Sequence, residues 1–197
     1  MRARLRSRAG DRGATLVEAV FVLPVFLLFV FATIEFGLYY AGSATTVSAS
    51  RDGARYASAN FAVARGGQGA ADAIRDVVAK DAQAFTAQDT PIRMMIYRAQ
   101  ASGYPEGQTD FSNCTTNCFK YTWNAATRTF DSQGGPTVWS TPDACITPAS
   151  PGVDSIGVYI QVDHQYISGV MTPILGSKTT MKEYTVTLLE PLPISQC

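Results

Sequence analysis

Residues Arg12 to Gly37 read RGATLVEAVFVLPVFLLFVFATIEFG. From Ala19 to Ile34 this stretch runs sixteen residues without a charge, and Thr33 is its only polar side chain. Counted from Ala14 to Tyr40 it has 27 residues. As a helix it would be about 40 Å long, more than the ~30 Å hydrocarbon core of a bilayer. Tyr39 and Tyr40 suit an interfacial aromatic belt, so Glu35 is expected at the far headgroups, where water can reach it. Pro24 removes one backbone hydrogen bond and predicts a kink, which membrane helices tolerate. A cleaved export signal is the rival reading, with "AGSA" (Ala41 to Ala44) as its cleavage site. Its apolar region would be shorter, and Glu18 would not lie inside it.

Charge supports the same topology. The 16 basic and 16 acidic residues cancel, but Arg2, Arg4, Arg6, Arg8 and Arg12 crowd the first twelve positions, with Asp11 the one acid among them. Subtracting these leaves 11 positive and 15 negative charges over the remaining 185 residues, a net of −4. Arginines beside an apolar helix stay cytoplasmic, so the chain beyond the helix is expected outside the cytoplasm. A mildly acidic body with scattered cations argues against nucleic-acid binding.

Gly13 to Glu18, "GATLVE", comes directly after this basic leader and opens the apolar run. The arrangement resembles the processing site of type IV prepilins. By that resemblance a prepilin peptidase cuts between Gly13 and Ala14, and the helix is retained. Glu18 becomes the fifth mature residue. A carboxylate at bilayer depth costs about 2.5–3.5 kcal/mol on insertion scales, so it needs a partner. In the pilin family that partner is taken to be the new α-amino group of a neighbouring subunit, here that of Ala14.

The resemblance narrows at three places: the apolar-Leu-Pro at Val22 to Pro24, the Ile-Glu-Phe-Gly at Ile34 to Gly37, and the Gly-Ala-Arg-x-Ala at Gly53 to Ala57. These look like the N-terminal part of TadE-like proteins, pseudopilins or minor pilins of the tight-adherence (Flp, type IVc) pilus system. The resemblance implies a non-enzymatic subunit acting in assembly, initiation or the tip of an adhesive pilus. Its implied partners are a prepilin peptidase, other pilin or pseudopilin subunits, the inner-membrane assembly platform and membrane lipid, with no nucleic acid and no cofactor. It implies a single-pass protein of the bacterial inner membrane with a cytoplasmic N-terminus. The binding-module alternative is a signal-anchored envelope protein that recognises a ligand or adhesion target and has no connection to pili.

The expected fold is α+β and pilin-like. Residues 1–13 form the leader, 14–64 a long helix spanning the membrane at about 14–40, and 65–197 an extracytoplasmic domain with a second helix and an antiparallel sheet. Gly66 to Gly69 breaks the first helix. Apolar residues Ala70, Ala73, Ile74, Val77, Val78 and Phe85 share one face of a second helix at about Ala70 to Ala87, ended by Pro91. Strands are expected at Ile92 to Ala99, in "FKYTW" and "TRTF" as a hairpin, in "SIGVYIQVDHQYI", and at Lys182 to Glu190. Between the last two, Met171, Ile174 and Leu175 form an apolar turn that fills the core or touches the membrane or a partner. Arg51, Asp52 and Arg55 are expected on the outer part of the first helix, in surface salt bridges or in packing of the domain.

Cys114, Cys118 and Cys145 fall in a loop-rich region, 102–152, and Cys197 ends the chain. In an oxidising compartment four cysteines suggest two disulfides, with three connectivities open. A zinc site is the rival, but it usually needs two close pairs and one is present. No metal site and no catalytic motif is visible. The single histidine, His164, sits in mid-strand on the apolar side, as a core residue would. A membrane-anchored hydrolase would need an acid or a serine beside it in a cleft.

Overall fold

The computed structural model describes residues 9–134, 139, 141–146, 152–169, 172 and 176–197. Arg2, Arg4, Arg6 and Arg8, and the turn residues Met171, Ile174 and Leu175, lie outside this set. The first helix, α1, runs unbroken from Ala9 to Asn60, 52 residues with Pro24 inside. It therefore starts upstream of the expected Ala14 and continues through Gly13. It ends at Asn60, and the chain turns over the following residues. Arg65 and Gly66 have φ of 60° and 65°, and the Gly66 amide bonds back to the Phe61 carbonyl. A side chain at Gly66 would also stand 2.6 Å from the Trp139 carbonyl oxygen, so glycine is required on both counts.

Helix α2 spans Gly67–Ala82 and buries Ala71, Ile74, Val78, Ala79 and Ala82. Its core face is rotated from the expected one: Ile74 and Val78 are shared, while Ala70, Ala73 and Val77 are only half-buried. It ends before the expected Ala87, because turns at 83–84 and 87–88 lead the chain into β1. Pro91 lies inside β1 and does not end the helix. It falls where the β1–β4 register slips between Pro91 and Arg93, which suits a residue with no amide to give the ladder.

The sheet comprises β1 (Asp89–Arg98), β2 (Cys118–Asn124), β3 (Thr129–Ser132), β4 (Ser155–Gln165) and β5 (Lys178–Leu188). All pairings are antiparallel, in the spatial order β3-β2-β1-β4-β5. One face packs on α1 and α2, where Phe61, Ile74, Val78, Ile96, Val158 and Ile160 form the main core. Strand β4 does not alternate as its sequence suggests: Gly157, Tyr159 and Asp163 are buried too. The 99–117 loop folds over that second face. Phe111 stacks on Tyr159 with ring centroids 4.6 Å apart. A smaller cluster of Met95, Tyr97, Cys114, Cys118 and Tyr159 fills the space beneath.

Two disulfides form, Cys114–Cys118 and Cys145–Cys197. The first closes the loop over the sheet. The second ties the C-terminus to the 141–146 segment, so all four cysteines are consumed and none remains to bind zinc.

Candidate functional site

The N-terminal part of α1 stands clear of the domain. From Leu16 to Phe31 its large apolar side chains are exposed, and its most apolar window has a mean hydropathy of 2.5 with nothing buried. It is the one helix among the described residues long and apolar enough to cross a membrane. Gly13, Ala14 and Glu18 lie on this free section, all exposed. No hydrogen bond or ion pair among the described residues reaches Glu18. Gly13 has no neighbour within 4 Å of where a Cβ would be. The expected cleavage pair and the motif carboxylate thus share one exposed helical segment, with no hydrogen bond or ion pair to the domain among the described residues.

The helix meets the domain at Glu35. This carboxylate is only 2% exposed, against the expectation of a wetted interfacial acid. Its Oε1 accepts a hydrogen bond from the Ser168 amide, three residues beyond the end of β4. Its Oε2 and the Ser168 hydroxyl are buried without partners among the described residues. The helical period carries the contact upward. Tyr39 sets its ring edge-on to His164, with centroids 5.6 Å apart. At Gly42 a Cβ would lie 2.5 Å from Asp89 Oδ1. The Ser50 hydroxyl bonds the Thr185 hydroxyl at 3.0 Å, and at Gly53 a Cβ would lie 2.6 Å from Val78 Cγ2. The small residues at 42, 49, 53, 54 and 57 let backbone and sheet approach, as Gly and Ala do wherever helices pack closely. Opposite them, Tyr40, Ala44, Val47, Arg51 and Arg55 line a shallow groove of about 530 Å³ that faces away from the domain. Arg51, Asp52 and Arg55 are exposed there and form no ion pair among the described residues, although the Asp52 charge acts on Asp81 of α2.

His164 is fully buried, as a core histidine should be. Its Nδ1–H donates to Asp89 Oδ1 at 2.7 Å, while Nε2 has no partner among the described residues. Asp89 Oδ2 accepts from the Thr86 hydroxyl at 2.6 Å. Asp89 itself lines a pocket of about 200 Å³ together with Phe85, Trp123 and Arg128, while His164 stays behind it in the core. Among the described residues no group of His, Cys, Asp or Glu could hold a metal ion.

Sequence reasoning singles out Gly13, Ala14 and Glu18 but misses Asp89 and underrates Glu35. The signal for both is present in α1: a lone carboxylate followed by Tyr39 at i+4 and Gly42 at i+7, all on one face.

The class defined by this architecture is an α+β protein of pilin-like layout, with a long apolar N-terminal helix, a second helix and an antiparallel five-stranded sheet. The sequence model of the TadE-like protein family matches residues 13–55, so this segment of the chain is TadE-like. The match begins at Gly13 and ends on the face of α1 that carries Arg51 and Arg55. The family is associated with Tad (Flp) pilus systems and is generally non-enzymatic. No curated protein and no solved structure matches the chain.

Proposed function

We propose that this protein is a pseudopilin or minor pilin of a Tad (Flp) pilus. In this reading it is made with a basic leader and inserted with its N-terminus in the cytoplasm. A prepilin peptidase then cuts between Gly13 and Ala14. The mature helix keeps the domain at the outer face of the inner membrane until the subunit joins, starts or tips a filament. Glu18 then pairs with the α-amino group of Ala14 in a neighbouring subunit.

The observation that carries this reading is Glu18 itself. It stands exposed on an apolar helix at the fifth position after Gly13, inside the family match, and its own chain offers no counter-ion among the described residues. A charge left unpaired at bilayer depth is costly, so a chain that keeps one needs a partner from outside. N-terminal analysis of the protein from its host tests the proposal. The mature chain should begin at Ala14, and that species should vanish when the prepilin peptidase gene is deleted. A chain beginning at Met1, or near Ser43 as after ordinary signal cleavage, overturns it.

A further inference from the structure

We propose that the helix-proximal base of the domain is a lipid-contacting surface, seated on the outer headgroups with Ile167 entering the headgroup–acyl boundary. This rests on the reading of α1 as a membrane span.

The level of the base is set by the Glu35–Ser168 contact. From Ala14 to Glu35 the helix rises about 32 Å, close to the thickness of the hydrocarbon core, so Glu35 falls where the acyl chains end. The Ser168 amide is held against that carboxylate. Ile167, its neighbour, is 59% exposed, so an apolar side chain is turned outward at the depth where the bilayer surface lies. Tyr40, 76% exposed and just above Glu35 on α1, is of the type that accumulates at this level.

Two further loops share the base. Gly42 abuts Asp89 about 10 Å above Glu35 along the helix. Beside Asp89 lie the 83–88 connection and the 125–128 turn, joined by the Arg128 guanidinium donating to the Gln83 carbonyl. The Gln165 amide donates to the Gln88 carbonyl, which binds this connection to the end of β4. Segments 83–88, 125–128 and 166–169 together contain no Asp or Glu, and Arg128 is their one charge. The other acids lie elsewhere, with Glu35 and Asp89 sequestered in hydrogen bonds. A surface seated at the headgroup level is favoured by that distribution, because amides and exposed apolar groups are accommodated there while free carboxylates would have to give up hydration. Continuity fixes the occupant as lipid, since the helix that enters the bilayer is the one to which this base is bound.

The test uses the unaltered full chain in phosphatidylcholine vesicles containing a lipid-borne diazirine, with labelled residues located by mass spectrometry after photolysis. The expected result is strong labelling of α1 between Ala14 and Ile34, together with labelling around Ile167 several-fold above that of Val63. Val63 is as exposed, at 60%, but sits at the far end of the domain. Ile167→Asp should remove the label around that position and leave the α1 label in place. Labelling confined to α1, or equal labelling around Ile167 and Val63, overturns the proposal. An unlabelled α1 would instead overturn the span reading, and this proposal with it.

Discussion

His164 Nδ1 lies 2.7 Å from Asp89 Oδ1, and neither side chain has any exposed surface. The pair joins β4 to the start of β1 directly beneath Gly42 of α1, so it holds the sheet against the helix as well as strand against strand. Removing the donor leaves a buried carboxylate oxygen with nothing to bond, the costly half of any such pair. His164→Leu should therefore destabilise the domain by about 3 kcal/mol in chemical unfolding of the detergent-solubilised chain. Gln165→Ala, one residue along on an exposed position, should change it by about 0.5 kcal/mol or less. Equal small effects from both would show that the Asp89–His164 bond holds nothing together.

Glycines of α1 should divide by what faces them. At Gly53 a methyl group would meet Val78 Cγ2 at 2.6 Å and Val158 Cγ1 at 3.3 Å, with no flexible chain to give way. Gly53→Ala is expected to cost about 1–3 kcal/mol by overpacking. Val78→Ala should recover part of that loss in the double variant, which a thermodynamic cycle would measure. Gly37→Ala, with nothing within 4 Å, should be tolerated and should not lower helicity in circular dichroism.

The two disulfides should differ in weight. Cys145–Cys197 closes a separation of 52 residues and Cys114–Cys118 one of 4. Loop-closure entropy assigns them about 4 and about 2 kcal/mol respectively. Cys145→Ala/Cys197→Ala is thus expected to lower the midpoint of denaturation by roughly twice as much as Cys114→Ala/Cys118→Ala. The reverse order would mean that the short loop's packing of Phe111 on the sheet, and not chain entropy, dominates.

Acid response should track Asp163 and Asp81, in opposite senses. Burial pushes the Asp163 carboxyl up, but hydrogen bonds from Lys178 and Thr180 outweigh it and leave the pKa below the usual 3.8. That contribution is present above the unfolded value and is lost as pH falls through the folded one, so it fades below about pH 4. Asp81 is raised, by burial first and then by the Asp52 charge. It favours the folded state at low pH and loses that contribution as pH rises through its folded pKa. Asp81→Asn should therefore raise the thermal midpoint at pH 7, while Asp163→Asn should lower it and flatten the acid limb. A fall in midpoint for Asp81→Asn would contradict the sign.

The features legible in the sequence are those that local chemistry dictates. The long apolar helix is legible because an unbroken apolar run has few other uses, and β4 because its alternation is long. Burial of the second face of β4 is not legible, since it depends on the 99–117 loop folding back through Phe111 over Tyr159, a contact between residues 48 apart in sequence. Pro91 misleads for a related reason. A proline is a stop signal in a helix but is tolerated near the start of a strand where the register slips, and only the β4 partner reveals the slip. Depth alone places Glu35 among the headgroups. Its burial requires Ser168, 133 residues later, to arrive with an amide to donate. Gly13, Ala14 and Glu18 are readable as a motif because their pattern is local in sequence and all three are exposed on α1.

That isolation makes Glu18 the residue whose substitution is most informative about assembly. A side chain exposed on a free helical segment contributes nothing to the domain's own stability, so Glu18→Ala should leave its unfolding unchanged. It should also leave membrane insertion intact, since removing a carboxylate at bilayer depth relieves a cost of about 2.5–3.5 kcal/mol. The expected loss is in association: fewer pili on the cell surface and less co-purification with other pilus subunits. Glu18→Asp keeps the charge but withdraws it by one methylene, and should restore association in part. Normal piliation in Glu18→Ala, with the altered protein present and inserted, would rule out the registering role given to this carboxylate.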